Sequence, residues 1–172
     1  MSTLEQDFSV FDRVVVFGNS GSGKSTLARH LAQRYNLVHL DLDTLAYEPD
    51  KPGVRRELTL SLKDIAVFIE QHDRWVIEGC YADLLAEVSV RAGQLIFLNP
   101  GTTACQANCR RRPWEPHKYA SKAEQDANLS MLLEWVADYD TRDDEFSRSA
   151  HQRVYDAFSG PKAQYLENLS IT

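Results

Sequence analysis

Nine consecutive residues constrain this chain more than any others: Gly18-Asn19-Ser20-Gly21-Ser22-Gly23-Lys24-Ser25-Thr26. They fit the phosphate-binding pattern G-x-x-x-x-G-K-S/T, with Gly18, Gly23, Lys24 and Ser25 at the fixed positions. A chain of this length meets the pattern by accident on the order of 1% of the time. The flanks narrow the choice further. Val14, Val15, Val16 and Phe17 form a continuous apolar run, as a strand buried on both faces does. Leu27, Ala28, Leu31, Ala32 and Tyr35 then recur at helical spacing. Strand, glycine loop and helix together predict a site for a nucleoside triphosphate.

The residue types follow from the ligand. A triphosphate is a dense anion, so the loop from Gly18 to Thr26 must aim several backbone N–H groups at one point. Glycine permits the positive φ angles and the close approach that this needs. The helix that begins at the loop adds the positive end of its dipole. Lys24 supplies a mobile charge for the outer phosphates, and the Ser25 hydroxyl is placed to ligate the accompanying Mg2+. ATP is favoured over GTP because the chain lacks an Asn-Lys-x-Asp element for guanine.

The rest of the sequence bounds the setting. At 172 residues, 43% hydrophobic and 26% charged, the chain suits one globular domain with a real core. Lys and Arg number 19 against 25 Asp and Glu, a formal net charge of -6. That balance argues against tight contact with nucleic acid or an anionic membrane. No apolar run approaches the roughly 20 residues of a membrane span, and Met1 to Asp12 lacks a signal-peptide pattern. The three cysteines read as free thiols. Cys105 and Cys109 can share a helix face, but two thiols without further ligands make a poor metal site. A cytoplasmic protein is the expectation.

Along the chain, residues 1–12 read as a tail and 13–172 as one domain. Asn36 closes the first helix in a left-handed conformation. Leu37 to Leu40 is a second strand, ending at Asp41-Leu42-Asp43. Residues 48–57 form a loop. Ser61-x-x-Asp64 resembles a capping box ahead of a helical face with Leu62, Ile65, Ala66 and Ile69. Trp75-Val76-Ile77 is a third strand ending at Glu78-Gly79, with a short helix over 82–91. Leu95 to Leu98 is a fourth, halted by Asn99-Pro100-Gly101. Thr103-x-x-Gln106 reads as another capping box, for a helix running into Arg110-Arg111-Arg112. Pro113 and Pro116 break the chain around a polar, aromatic stretch. Ser121-x-x-Glu124 opens a long helix with Leu129, Leu132, Leu133 and Val136 as its core side. His151, Val154, Tyr155 and Phe158 mark a last helix, and Ala163 to Leu169 a fifth, edge strand. Alternating strands and helices imply an open, mostly parallel sheet covered on both faces, with ligands beyond the carboxyl ends of the strands.

On these residues the chain resembles the small P-loop kinases of the adenylate kinase and shikimate kinase superfamily. It is most similar to the adenylate-kinase-related group labelled topology modulation proteins. The likeness runs from about Val14 to Lys162. It rests on Gly18–Thr26, His39-Leu40-Asp41, Trp75-Val76-Ile77-Glu78-Gly79-Cys80-Tyr81, and Tyr139-x-x-Arg142-Asp143-Asp144 with His151. The resemblance implies an α/β, three-layer P-loop NTPase fold with five strands in the order 2-3-1-4-5. It also implies an acceptor-binding segment over about 44–73 and a lid over about 110–122.

It implies roles as well. Asp41 and Asp43 match the Asp-x-Asp of shikimate kinases, with Asp41 near the metal and the acceptor hydroxyl as candidate base. Asp43, Gly79 and Tyr81 would hold the acceptor. Glu78 stands where adenylate kinases carry Asp-Gly, so it joins Ser25 and Asp41 as a metal residue. Arg110 and Arg112 would close on the phosphates, and Arg142 would act from the lid's return side. Simpler roles stand beside these: Asp43 as a helix N-cap, the arginine run as a basic helix end, Arg142 in a surface ion pair, His151 as a packed core histidine. The Pro-Arg that follows in adenylate kinases and the glycine triplet of shikimate kinases are both missing, so neither acceptor carries over. The rivals to a kinase are a nucleotide-binding regulator and a simple ATPase.

Overall fold

The computed structural model describes Leu4, Phe8 and residues 10–171. Much of the expected tail lies outside the described residues. The part that is described is no free tail, because Phe8 and Phe11 are buried in the core. The Phe11 ring lies 4.4 Å from that of Tyr35.

The sheet is parallel throughout, in the order β2-β3-β1-β4-β5. Its strands are β1 (Arg13–Gly18), β2 (Val38–Asp41), β3 (Trp75–Gly79), β4 (Gln94–Leu98) and β5 (Lys162–Tyr165). The edge strand is shorter than the sequence predicts. The helices are α1 (Lys24–Tyr35), the single-turn α2 (Asp43–Ala46), α3 (Leu58–Gln71), α4 (Ala82–Ser89), α5 (Thr102–Arg111), α6 (Lys122–Ala137) and α7 (Arg148–Ala157).

Successive side chains of a strand point to opposite faces, and the core divides accordingly. Val14 and Val16 pack with Leu27 and Leu31 of α1 on one face. Val15 and Phe17 pack with Ile65 of α3, Leu84 and Leu85 of α4 and Val154 of α7 on the other. Central β1 is therefore apolar on both sides. Among the described residues, no helix is long and apolar enough to cross a membrane.

Several local signals act as read. Asn36 ends α1 at φ 54°, and the Ser121 side chain accepts the Glu124 N–H at the start of α6. Two do not. α3 begins at Leu58, so Ser61 lies inside its first turn, where the hydroxyl donates to the Leu45 carbonyl at 2.7 Å. Asp64 pairs with Arg56 at 2.6 Å instead of closing a capping box. α5 begins at Thr102 after Gly101, and Gln106 donates to the Leu133 carbonyl of α6. In both places a tertiary partner claimed the polar group that the pattern assigns to a cap.

His151 is fully buried. Its Nε2 lies 2.8 Å from the Cys80 carbonyl and its Nδ1 2.8 Å from the Tyr139 hydroxyl. A carbonyl only accepts, so Nε2 carries the proton and Nδ1 accepts from Tyr139. Burial pushes the imidazole down from 6.5 to about 4. The unfolded chain thus binds a proton below pH 6.5 that the folded chain refuses until about pH 4. The contribution is fully present above pH 6.5 and is lost as pH falls toward 4, at up to about 1.4 kcal/mol per pH unit. Urea unfolding between pH 4 and 7.5 should show a shallower pH slope for His151→Gln than for the parent. Parallel profiles would mean that His151 is charged in the folded protein.

Candidate active site

Three parallel strands end side by side, and their carboxyl ends build one cleft of about 950 Å³. The register places Asp41 opposite Glu78, Val16 opposite Glu78, and Gly18 opposite Leu98. β1 delivers the glycine loop to the middle of this edge.

The loop is held from both sides. Asn19 is buried, its side chain donating to the Val136 carbonyl at 3.1 Å and accepting the Ser20 N–H at 2.8 Å. Asn108 of α5 donates to the Gly21 carbonyl at 2.8 Å. Gly21 has φ 79°, and a Cβ there would collide with the Cys105 carbonyl and lie 2.7 Å from Cys109 Sγ. Gly23 has φ 94° with open space where a Cβ would sit, so conformation alone requires glycine there. Among the described residues, the buried Ser22 hydroxyl has no hydrogen-bond partner. Lys24 donates to the loop's own Asn19 carbonyl at 2.7 Å.

At the foot of the loop, the Ser25 hydroxyl donates to Glu78 Oε1 at 2.8 Å. Glu78 is buried, and His39 Nε2 stands 3.4 Å from the same oxygen. Among the described residues, no three His, Cys, Asp or Glu side chains cluster to hold an ion. A hydroxyl and one carboxylate suit Mg2+, which keeps several waters and takes phosphate oxygens rather than a full protein cage. The donor set fits the expected ion.

Across the cleft, Asp43 opens α2. The N-cap of that turn is Leu42, so the N-cap role considered for Asp43 does not hold. Its carboxylate accepts the Tyr81 hydroxyl at 2.5 Å and lies 3.2 Å from Lys118 Nζ. Burial raises its pKa, but Lys118, the Tyr81 hydrogen bond and Lys24 outweigh burial and leave it lowered. Asp41 differs. Burial, then the neighbouring charges of Glu78 and Asp43, push it up to about 6, and its Oδ1 accepts the Asp43 N–H at 2.9 Å. Burial also raises the Cys80 thiol to about 12, so it stays protonated and inert at neutral pH.

The structure therefore brings together Gly23, Lys24, Ser25, Asp43, Glu78, Gly79 and Tyr81, all of which line the cleft. Asp41 does not line it and stands behind Asp43, whose N–H it holds. Of the arginine run, Arg111 and Arg112 line it and Arg110 does not. Arg112 lies 3.4 Å from Glu115. Arg142 is outside the cleft, paired with Asp144 at 2.7 Å and stacked 4.5 Å from the centre of the Trp135 ring.

Sequence reasoning placed a lid over about 110–122 but named no site residue in it beyond Arg110 and Arg112. Trp114, Glu115, His117, Lys118 and Tyr119 of the segment between α5 and α6 line the cleft, with Trp135 of α6. The available signal was the density of aromatic and charged residues around Pro113 and Pro116. The segment is held by Glu115 N–H donating to Gln125 Oε1 at 2.8 Å and Gln125 Nε2 donating to the Pro113 carbonyl at 3.0 Å.

No protein-family model matches the sequence, and no curated protein matches it. Solved structures do match. A deoxyadenosine kinase from M. mycoides with bound dATP is 10% identical with a TM-score of 0.53, over 92% of each chain. The fold is P-loop kinase-like. A sugar kinase from a Janibacter species, unliganded, is 16% identical with a TM-score of 0.47, over 86% of this chain and 92% of that one. Shikimate kinase from Acinetobacter baumannii, in complex with shikimate, is 19% identical with a TM-score of 0.42, over 90% and 97%. At these identities the shared property is the fold.

Proposed function

We propose that the protein is a magnesium-dependent kinase that transfers the γ-phosphoryl group of ATP to a small-molecule acceptor. The observation that carries this reading is the single cleft uniting the glycine loop, the Ser25–Glu78 pair and the Asp43 carboxylate. Phosphoryl transfer needs positioning and charge stabilisation more than covalent chemistry, and these groups supply both.

In this reading the loop N–H groups and Lys24 hold the outer phosphates. Lys24 exchanges its contact with the Asn19 carbonyl for one with the nucleotide. Ser25 and Glu78 hold Mg2+ directly or through water, and His39 supports Glu78. The ion, when bound, neutralises charge on the β- and γ-phosphates. Asp43 accepts the acceptor's proton in place of Asp41, because Asp43 lines the cleft and stays ionised at neutral pH. Asp41 fixes the turn that presents it. Arg111 and Arg112 stabilise the moving phosphoryl group from the lid. Membership of the adenylate-kinase-related topology modulation group, and a cytoplasmic location, belong to the same proposal.

One observation favours the rival of a nucleotide-binding regulator or simple ATPase: Lys118 already occupies the carboxylate assigned to the acceptor. A coupled ADP-release assay separates the readings. The kinase is expected to release ADP from Mg-ATP slowly alone and at least tenfold faster with a suitable acceptor. Release that no acceptor stimulates would give the ATPase, and nucleotide binding without release the regulator.

A further inference from the structure

The cations in the acceptor half of the cleft are already paired with carboxylates. These carboxylates are Asp43 and Glu115, and Lys118 lies 3.2 Å from one and 3.6 Å from the other. That ammonium is therefore already shared between two acids. Arg112, which lines the cleft, lies 3.4 Å from Glu115, and two further guanidiniums behind the wall are committed elsewhere. Arg55 pairs with Glu145 at 2.8 Å and Asp83 at 3.1 Å, and stacks 4.8 Å from the Tyr81 ring. Arg142 pairs with Asp144 and stacks on Trp135. Tyr81 and Trp135 line the cleft, while the two arginines do not.

A phosphate or carboxylate on the acceptor would thus meet two acids whose cations, Lys118 and Arg112, are already paired with them. The rest of the wall is aromatic: Tyr47, Tyr81, Trp114, Tyr119 and Trp135. Flat rings with a few convergent polar groups suit an apolar ring face bearing hydroxyls.

We propose that the acceptor is an uncharged, hydroxyl-bearing ring compound of the sugar or nucleoside type, seated among these aromatic side chains with its reacting hydroxyl on Asp43. The inference rests on the kinase reading. The hydroxyl oxygen forms a bond to the γ-phosphorus, the bond from that phosphorus to the bridging oxygen of ADP breaks and its electron pair leaves with ADP, and the hydroxyl proton passes to the Asp43 carboxylate. Lys118 moves off Asp43 as the hydroxyl arrives and remains beside Glu115.

The test compares matched pairs that differ in charge: ribose and ribose 5-phosphate, glucose and glucose 6-phosphate, adenosine and AMP, uridine and UMP. Binding is read by saturation-transfer NMR with the intact protein, Mg2+ and a non-hydrolysable ATP analogue, and turnover by ADP release with Mg-ATP. At least one neutral member should bind at millimolar concentration or better, with its phosphorylated partner at least tenfold weaker. The sugar and nucleoside arms identify the source. Lys118→Glu should widen the preference for the neutral member, and Glu115→Gln should narrow it. A charged member preferred in any binding pair, or no neutral member bound, overturns the inference. Neutral binding without ADP release leaves this acceptor subsite standing and removes the kinase reading instead.

Discussion

Lys24→Ala should lose the thermal response to nucleotide. At Mg-ATP concentrations 100 times its dissociation constant, a ligand that binds the folded state stabilises it by about 2.7 kcal/mol. In a domain of this size each kcal/mol raises Tm by roughly 2–4 °C, so the parent should gain several degrees. Lys24 Nζ donates to the Asn19 carbonyl, and its charge is also felt at Asp43 and Cys80. Its removal should leave the apo Tm close to that of the parent while the Mg-ATP shift falls below about one degree. A variant that titrates with Mg-ATP like the parent would mean that the loop does not hold the phosphates.

Asp43→Asn should separate chemistry from nucleotide binding. The change keeps an oxygen to accept the Tyr81 hydroxyl, removes the charge opposite Lys118, and removes the proton acceptor. A positioned general base contributes roughly 10²–10⁴-fold, so kcat on an acceptor identified by ADP release should fall by that factor, with the Kd for Mg-ATP near that of the parent. Asp43 is held below the ordinary carboxylate range, so kcat should show no rise with pH from this group between 6 and 8. Asp41→Asn is the comparison. A larger fall there than at Asp43 would return the base to Asp41, and parent-like turnover in the Asp43 variant would remove Asp43 from the chemistry.

The contrast between these two acids shows what a sequence discloses. The glycine loop was legible because its ligand contacts lie within nine adjacent residues and its strand and helix adjoin it. The sheet was legible because buried parallel strands are unbroken apolar runs, as in Trp75-Val76-Ile77 and Leu95-Ile96-Phe97-Leu98. Asp41 and Asp43 looked equivalent by alternation, since two residues apart on a strand share a face. β2 ends at Asp41 and the chain turns at once into α2, so the alternation stops and only Asp43 reaches the cleft. Lys118 and Trp114 were hidden because the segment bearing them has no period. Their importance comes from contacts across the cleft, and no local pattern encodes those. Arg111 and Arg142 make the same point: the resemblance put weight on Arg110, Arg112 and Arg142, while Arg111 joins Arg112 in the cleft lining and Arg142 pairs with Asp144 outside it.

The bracing of the glycine loop has a thermodynamic consequence. Holding one residue in a single backbone conformation costs about 1–2 kcal/mol of entropy, and a loose loop of this length would owe that cost when a ligand arrived. Here Asn19 is tied to Val136, Gly21 is tied to Asn108, and Cys109 lies against the Gly21 backbone. The loop's freedom is therefore lost when the chain folds, and the sheet and helices absorb the loss. Nucleotide meets a loop already ordered, so the free energy of its phosphate contacts goes into affinity rather than into arranging the chain that makes them.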